Sequence, residues 1–156
     1  MQQQVAVYSG SFDPITLGHV DIIRRGAGLF DRLLVAVGDN PAKRYRFARD
    51  RRVAMVEEAC RGLDNVGVVA FSGLLVHAVR DLGGTVILRG LRALSDFDTE
   101  LRYGLANREL SGLETLFLLA SAPQMHVSSS LVKEIHDNGG DVAHLVPPCV
   151  LEELRR

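Results

Sequence analysis

The chain has 156 residues, 47% of them hydrophobic and 24% charged, and a formal net charge of −1. That size and balance fit one globular domain with a real core, and the near-neutral charge gives no general pull towards nucleic acid or an anionic membrane. Two cysteines, Cys60 and Cys149, are too few for a disulfide framework and stand in no metal-ligand spacing, so both read as packing residues in a reducing compartment. Gln2-Gln3-Gln4 leads into the first apolar run without the charged head of a signal peptide, and no apolar stretch approaches the ~18 residues of a membrane span. The expected location is the cytoplasm.

Val5-Ala6-Val7-Tyr8 is an apolar run of strand formers and predicts the first strand. It leads into Gly10-Ser11-Phe12-Asp13-Pro14-Ile15-Thr16-Leu17-Gly18-His19, after which Val20, Ile22, Ile23, Ala27 and Phe30 recur at helical spacing. The stretch is a strand-to-helix crossing, the place where an open α/β sheet puts ligands. Gly10 lets backbone approach a ligand, Gly18 lets the helix start pack near it, and Pro14 stiffens the loop between them. Thr16 and His19 stand three apart around the helix start, so both reach one spot that already carries free backbone N–H groups and the positive end of a helix dipole. These residues describe a phosphate site with a histidine pointed into it.

Leu33-Leu34-Val35-Ala36-Val37 is continuously apolar, as expected of a strand covered on both faces of a parallel sheet, and it ends in Gly38-Asp39-Asn40-Pro41. A basic cluster follows: Lys43, Arg44, Arg46, Arg49, Arg51 and Arg52, part of it on a helix through Val53, Ala54, Val56 and Ala59. The third strand is expected over Val66 to Phe71, and the next helix over Leu74 to Leu82, closed by Gly83-Gly84. Thr85-Val86-Ile87-Leu88 reads as the fourth strand, with Arg89-Gly90-Leu91-Arg92 in the loop behind it. Asp96 to Leu110 reads as a longer helix with Phe97, Leu101, Leu105 and Ala106 inward. Leu116 to Ala120 is the fifth strand; Ser128-Ser129-Ser130 starts a helix through Leu131, Val132 and Ile135, and a last short helix follows Pro147-Pro148. Five strands alternating with helices, without repeat or linker, predict a doubly wound α/β domain with a five-stranded parallel sheet.

Three of the segments after strands carry clustered donors, and in an all-parallel sheet these ends share one edge. Ser11 to His19 is the first. Arg89 and Arg92 flank Gly90 in the second, where forked guanidinium donors suit phosphate oxygens. Ser128-Ser129-Ser130-Leu131-Val132-Lys133 is the third; a serine N-cap accounts for one hydroxyl, and three together with free N–H groups also make an oxyanion cradle. All three on one edge point to a polyphosphate ligand.

The Gly10 to His19 stretch resembles the T/H-x-G-H signature of the nucleotidyltransferases that share a dinucleotide-fold core with class I aminoacyl-tRNA synthetases. In its longer form, G-[ST]-F-D-P-[IV]-T-x-G-H, it is similar to the phosphopantetheine adenylyltransferase family. Asn40-Pro41-Ala42-Lys43, Arg89 to Arg92 with Asp96-Phe97 and Glu100, and Ser128 to Glu134 follow in that family's order, so the resemblance covers nearly the whole chain. It implies a Rossmann-like nucleotidyltransferase fold, with residues 1–156 as a single adenylyltransferase domain. By the same resemblance Ser11, Lys43, Leu75 and Arg89 contact phosphopantetheine. Ser11, Phe12, His19, Gly90, Leu91, Arg92, Glu100, Gln124, Met125, His126, Val127, Ser128, Ser129 and Ser130 line the ATP site. Ser9 stands where that family usually has proline, Thr99 where an aromatic is common, Met125-His126 replaces an aromatic-containing pair, and Arg44 to Arg52 is more basic than usual.

The implied reaction transfers the adenylyl group of ATP to 4′-phosphopantetheine, giving dephospho-coenzyme A and pyrophosphate, the penultimate step of coenzyme A biosynthesis. His19 and Lys43 are the expected catalytic residues at the α-phosphoryl group, with Arg92, Ser129 and Ser130 on the β- and γ-phosphates. Mg²⁺ is expected on the polyphosphate, held mainly by substrate oxygens and water, with no carboxylate cluster for a protein metal cage. The resemblance also implies a homohexamer, with coenzyme A as product or feedback ligand. A nicotinate-mononucleotide adenylyltransferase, a cytidylyltransferase and a non-catalytic nucleotide-binding module are the alternatives. An RNA-binding role for Lys43 to Arg52 is disfavoured, because aromatics interleave only at Tyr45 and Phe47 and the chain is not basic.

Overall fold

The computed structural model describes residues 3–156, the side chain of Ser95 aside. Strands β1 (Val5–Gly10), β2 (Arg32–Asp39), β3 (Val66–Ser72), β4 (Val86–Leu91) and β5 (Glu114–Leu119) form one parallel sheet in the order β3-β2-β1-β4-β5. The order reverses between β1 and β4, the switch point at which doubly wound sheets open a crevice beyond their carboxyl ends.

Helices α1 (Leu17–Ala27), α2 (Arg49–Ala59), α3 (Leu75–Asp81), α4 (Leu94–Ser111), α5 (Ser129–Asp137) and α6 (Pro148–Leu154) cover the sheet. Two apolar clusters lie on its faces. One joins Ala6, Tyr8, Leu33, Val35 and Leu88 to Ile22 and Ile23 of α1, Val56 of α2, Val132 of α5 and Val150 of α6. The other joins Val7, Leu34, Ala36 and Ile87 to Val76 and Val79 of α3. Alternate residues of β1 and β2 therefore serve opposite cores, which is why these strands read as continuous apolar runs. No helix among the described residues is long and apolar enough to cross a membrane.

Two expectations are corrected. Arg89, Gly90 and Leu91 belong to β4 itself and pair with Phe117, Leu118 and Leu119, so Arg89 stands on the sheet and not in a loop behind it. The inward side of α4 is also different: Phe97, Leu101 and Leu105 are 45%, 38% and 51% exposed, while Asp96, Glu100, Gly104, Asn107 and Ser111 are half-buried at helical spacing. Ion pairs of Arg92 with Asp96 and of Arg89 with Glu100 fix that rotation. Apolar periodicity alone ignores such charged partners, so it assigned the wrong face.

Candidate active site

A cavity of about 310 Å³ opens at the switch point, walled by the loop after β1, the end of β4, the first turns of α1 and α4, and the start of α5. Its histidine is set by local backbone chemistry. Thr16 is the N-cap of α1 and His19 its third residue, and together they close a capping box. Thr16 Oγ1 accepts from the His19 backbone N–H at 3.3 Å, and Nδ1 of His19 accepts from the Thr16 backbone N–H at 3.0 Å. A backbone amide can only donate, so Nδ1 is an acceptor and the ring carries its proton on Nε2. Burial, with Arg92 and then Arg89 adding to it, lowers the His19 pKa from 6.5 to about 4, so the ring is neutral at physiological pH.

Phe12 makes the floor. It adopts φ 47°, a left-handed conformation costing of order 1–3 kcal/mol for such a residue, and the surroundings hold it there. Its ring is 1% exposed, edge-on to Tyr8 at 5.5 Å and to His19 at 5.0 Å between centroids. A side chain at Gly10 would come within 3.1 Å of that ring, so the glycine leaves room for Phe12 and only indirectly for a ligand. The Tyr8 hydroxyl is pushed up to about 12, chiefly by burial, and stays protonated.

Two arginines face the histidine from β4 and its end. Arg89 is forked onto Glu100, Nε to Oε2 at 2.8 Å and Nη2 to Oε1 at 2.6 Å, while its Nη1 reaches the carbonyl and hydroxyl of Ser9 at 2.5 and 3.2 Å. Burial opposes its charge, but the bonds and charge of Glu100 outweigh that and raise its pKa. Arg92 pairs with Asp96 at 3.1 Å and donates to the Val127 carbonyl at 3.1 Å, joining the end of β4 to the start of α5. On the opposite wall, Ser128 Oγ caps α5 by accepting from Leu131 N–H at 3.1 Å. Ser129 Oγ donates to the Pro14 carbonyl at 2.8 Å, and Ser130 is exposed at the cavity.

Of the residues expected from sequence, Ser11, Phe12, His19, Arg89, Gly90, Arg92, Glu100, Val127, Ser128, Ser129 and Ser130 all line this one cavity. Lys43, Leu75, Leu91, Gln124, Met125 and His126 lie outside its walls. Lys43 is exposed on the segment between β2 and α2, Leu75 is half-buried at the start of α3, and Leu91 is buried within β4. Gln124 ends a short 3-10 turn, Ala122–Gln124, and its buried Oε1 has no hydrogen-bond partner among the described residues. Met125 and His126 are exposed beside it. Tyr8, Ser9, Ile22, Asp96 and Ala120 line the cavity without having been singled out as site residues. For Tyr8 and Ser9 the signal was available: they directly precede Gly10 on the strand that feeds the loop.

The arrangement offers a neutral N–H donor, two guanidinium groups and a hydroxyl-rich helix start, all facing one space. It suits an elongated polyanion. Comparison with known proteins agrees with that chemistry. A cytidylyltransferase-like family model matches residues 7–135. A phosphopantetheine adenylyltransferase of Gloeobacter violaceus is 52% identical, covering 97% of this chain and 94% of its own. Those of Geotalea daltonii and Thermotoga neapolitana are 47% and 50% identical, covering 99% and 96% of this chain and 96% and 94% of their own. Among solved structures, a lipopolysaccharide core biosynthesis protein from Thermoplasma volcanium GSS1 shares the fold with a TM-score of 0.55 at 20% identity, covering 77% of this chain and 98% of its own. A capping-box histidine at the switch point of a five-stranded parallel sheet and near-full-length identity of about half to these enzymes lead to one statement: the chain belongs to the phosphopantetheine adenylyltransferase family.

Proposed function

We propose that the chain, working as one domain over residues 1–156, transfers the adenylyl group of ATP to 4′-phosphopantetheine and releases pyrophosphate and dephospho-coenzyme A. The observation that carries this reading is the fixed Nε2–H tautomer of a neutral His19 in a cavity bordered by two arginines and the start of α5. A phosphate oxygen of the acceptor attacks the α-phosphorus of ATP, the bond to the bridging oxygen breaks, and pyrophosphate leaves. The attacking oxygen is already anionic, so the step needs no general base.

The residues position the reactants and meet the charge that builds on the α-phosphoryl oxygens. His19 Nε2–H donates to one of those oxygens, and Lys43 supplies a cation from the segment above. Arg92, Ser130 and the first N–H groups of α5 hold the departing phosphates, and Arg89 with Ser11 takes the acceptor phosphate. Glu100 is part of the ATP wall through its hold on Arg89. Leu75, Leu91 and residues 124 to 127 complete the pantetheine and nucleotide binding surfaces.

Nucleotidyltransferases of this kind typically use a divalent metal, and here we assign Mg²⁺. The carboxylates at the cavity, Asp96 and Glu100, are engaged by Arg92 and Arg89, so the donor set fits an ion carried on substrate oxygens and water rather than a protein cage. Such an ion neutralises phosphate charge when bound.

We further place the enzyme in the cytoplasm as a homohexamer, with coenzyme A as a product-like ligand of the same site. The assembly is supported by the unpartnered apolar side of α4 and by Leu116 and Leu119 of edge strand β5, 48% and 70% exposed. The deciding assay offers 4′-phosphopantetheine, nicotinate mononucleotide and cytidylyl acceptors in turn with ATP and CTP, and reads pyrophosphate release. Turnover with 4′-phosphopantetheine and ATP is expected; preference for another pair would replace this reading with the corresponding transferase.

A further inference from the structure

Arg52 is 0% exposed and the largest fully buried side chain among the described residues, and nothing in the reaction above uses it. A buried guanidinium is costly unless its N–H groups are bonded. Here they are bonded to three separate stretches of chain. Nε donates to the Phe47 carbonyl at 3.1 Å, Nη1 to the carbonyls of Ser11 and Gly38 at 2.8 Å each, and Nη2 to Asp39 Oδ1 at 2.8 Å. The Tyr45 ring lies over the guanidinium, 3.9 Å from centroid to Cζ, and Tyr45 Oη accepts the Asn40 backbone N–H at 2.8 Å.

These contacts enclose one segment. Asn40 to Phe47 leaves the end of β2, turns through Lys43 N–H to the Asn40 carbonyl at 2.9 Å, and returns to the start of α2. Arg52 holds Phe47 at its far end and Gly38 and Asp39 just before its near end, and Ser11, whose carbonyl Arg52 also holds, lines the cavity. The Lys43 side chain, by contrast, makes no hydrogen bond or ion pair among the described residues. Its reach towards the cavity is set by the backbone beneath it and by the freedom of its own stem.

We propose that Arg52 is the positioning residue of Lys43: it fixes the Lys43 segment to the histidine loop so that the ammonium meets the α-phosphoryl group. This rests on the role given above to Lys43. A displacement of about 1 Å in a reacting geometry can cost of order 10² in rate. Lysine at position 52 keeps the charge but loses the fork that reaches three stretches at once.

The test is a double-mutant cycle of Lys43→Ala and Arg52→Lys, read as kcat for pyrophosphate release, with ATP binding by calorimetry and folding by circular dichroism. Arg52→Lys is expected to lower kcat roughly 10–100-fold while ATP affinity stays within about threefold. In the Lys43→Ala background the same change should cost less than about threefold. If Arg52→Lys does not fold, Tyr45→Leu replaces it in the cycle, with a smaller loss of about 5–10-fold that again disappears without Lys43. Equal factors in both backgrounds, or an Arg52 variant with full turnover, overturn the proposal and leave the role of Lys43 intact. Full turnover of Lys43→Ala alone overturns the role of Lys43, and the proposal with it.

Discussion

Nδ1 of His19 lies 3.0 Å from the backbone nitrogen of Thr16, and that amide proton fixes the tautomer of the ring. The imidazole is thereby a donor through Nε2 before any substrate arrives. Losing one such preorganised donor typically costs about 10²–10³ in kcat. His19→Ala should therefore fold, keep ATP affinity within roughly a few-fold, and lose turnover by that factor, the pattern of an interaction made in the transition state. Calorimetry beside steady-state turnover checks it; binding that falls as far as turnover removes His19 from this role.

The same burial gives a pH signature. With the folded pKa at about 4 and the ordinary value at 6.5, the unfolded chain binds more protons than the folded one between those limits. Stability contributed by the neutral ring is thus present above pH 6.5 and lost as pH falls towards 4. Urea melts at pH 7 and pH 5 should show a loss on acidification that is smaller in His19→Ala than in the unmutated chain. Equal losses would mean that the ring titrates normally.

Arg89 has four of its five N–H groups committed to Glu100 and Ser9, leaving one hydrogen on Nη2. The proposed acceptor-phosphate contact would use that hydrogen and a charge held in place by the raised pKa. Arg89→Ala should raise the KM for phosphopantetheine far more than that for ATP. It also strands the Glu100 carboxylate, whose side chain is 14% exposed, so the melting temperature should fall and recover in part when Glu100→Ala is added. Equal KM changes for the two substrates would take Arg89 out of acceptor binding.

The three serines of α5 separate by partner. Ser128→Ala removes the cap and should cost about 1 kcal/mol of stability with little change in nucleotide affinity. Ser129→Ala breaks the bond to the Pro14 carbonyl and should affect both. Ser130→Ala should weaken ATP and pyrophosphate binding by roughly 1–3 kcal/mol at unchanged stability. Thermal melts paired with calorimetry on the three variants distinguish these outcomes.

Leu105→Glu places a charge on the outward apolar side of α4, where Leu105 is 51% exposed. Light scattering after size exclusion should show the unmutated chain as an assembly and the variant as a smaller species of the same fold. A monomeric unmutated chain would overturn the hexamer.

The sheet and the place of His19 at the cavity were readable because each rests on local chemistry: apolar runs at β1 and β2, and a glycine-flanked histidine at the entry to α1. What escaped depended on partners distant in sequence. Arg52 reads as one more charge on a basic helix until Ser11, forty-one positions away, is seen beside it. Phe97, Leu101 and Leu105 have the spacing of a core stripe, and only the arginines on β4 and at its end turn them outward. Lys43 belongs to the catalytic motif by resemblance, yet its segment sets it outside the cavity, a relation no periodicity encodes.

The bonds from Ser129 to Pro14 and from Lys133 to Asp13 span 115 and 120 positions of the chain. A ribosome that has released every strand, His19 and both β4-side arginines has still not released the serines of α5. Until those last residues emerge, the growing chain lacks the wall that the start of α5 gives the cavity. Under the proposed function, nucleotide capture therefore waits for the finished polypeptide, and a chain cleaved before Ser128 loses the α5 wall of the cavity while its strand sequences are whole.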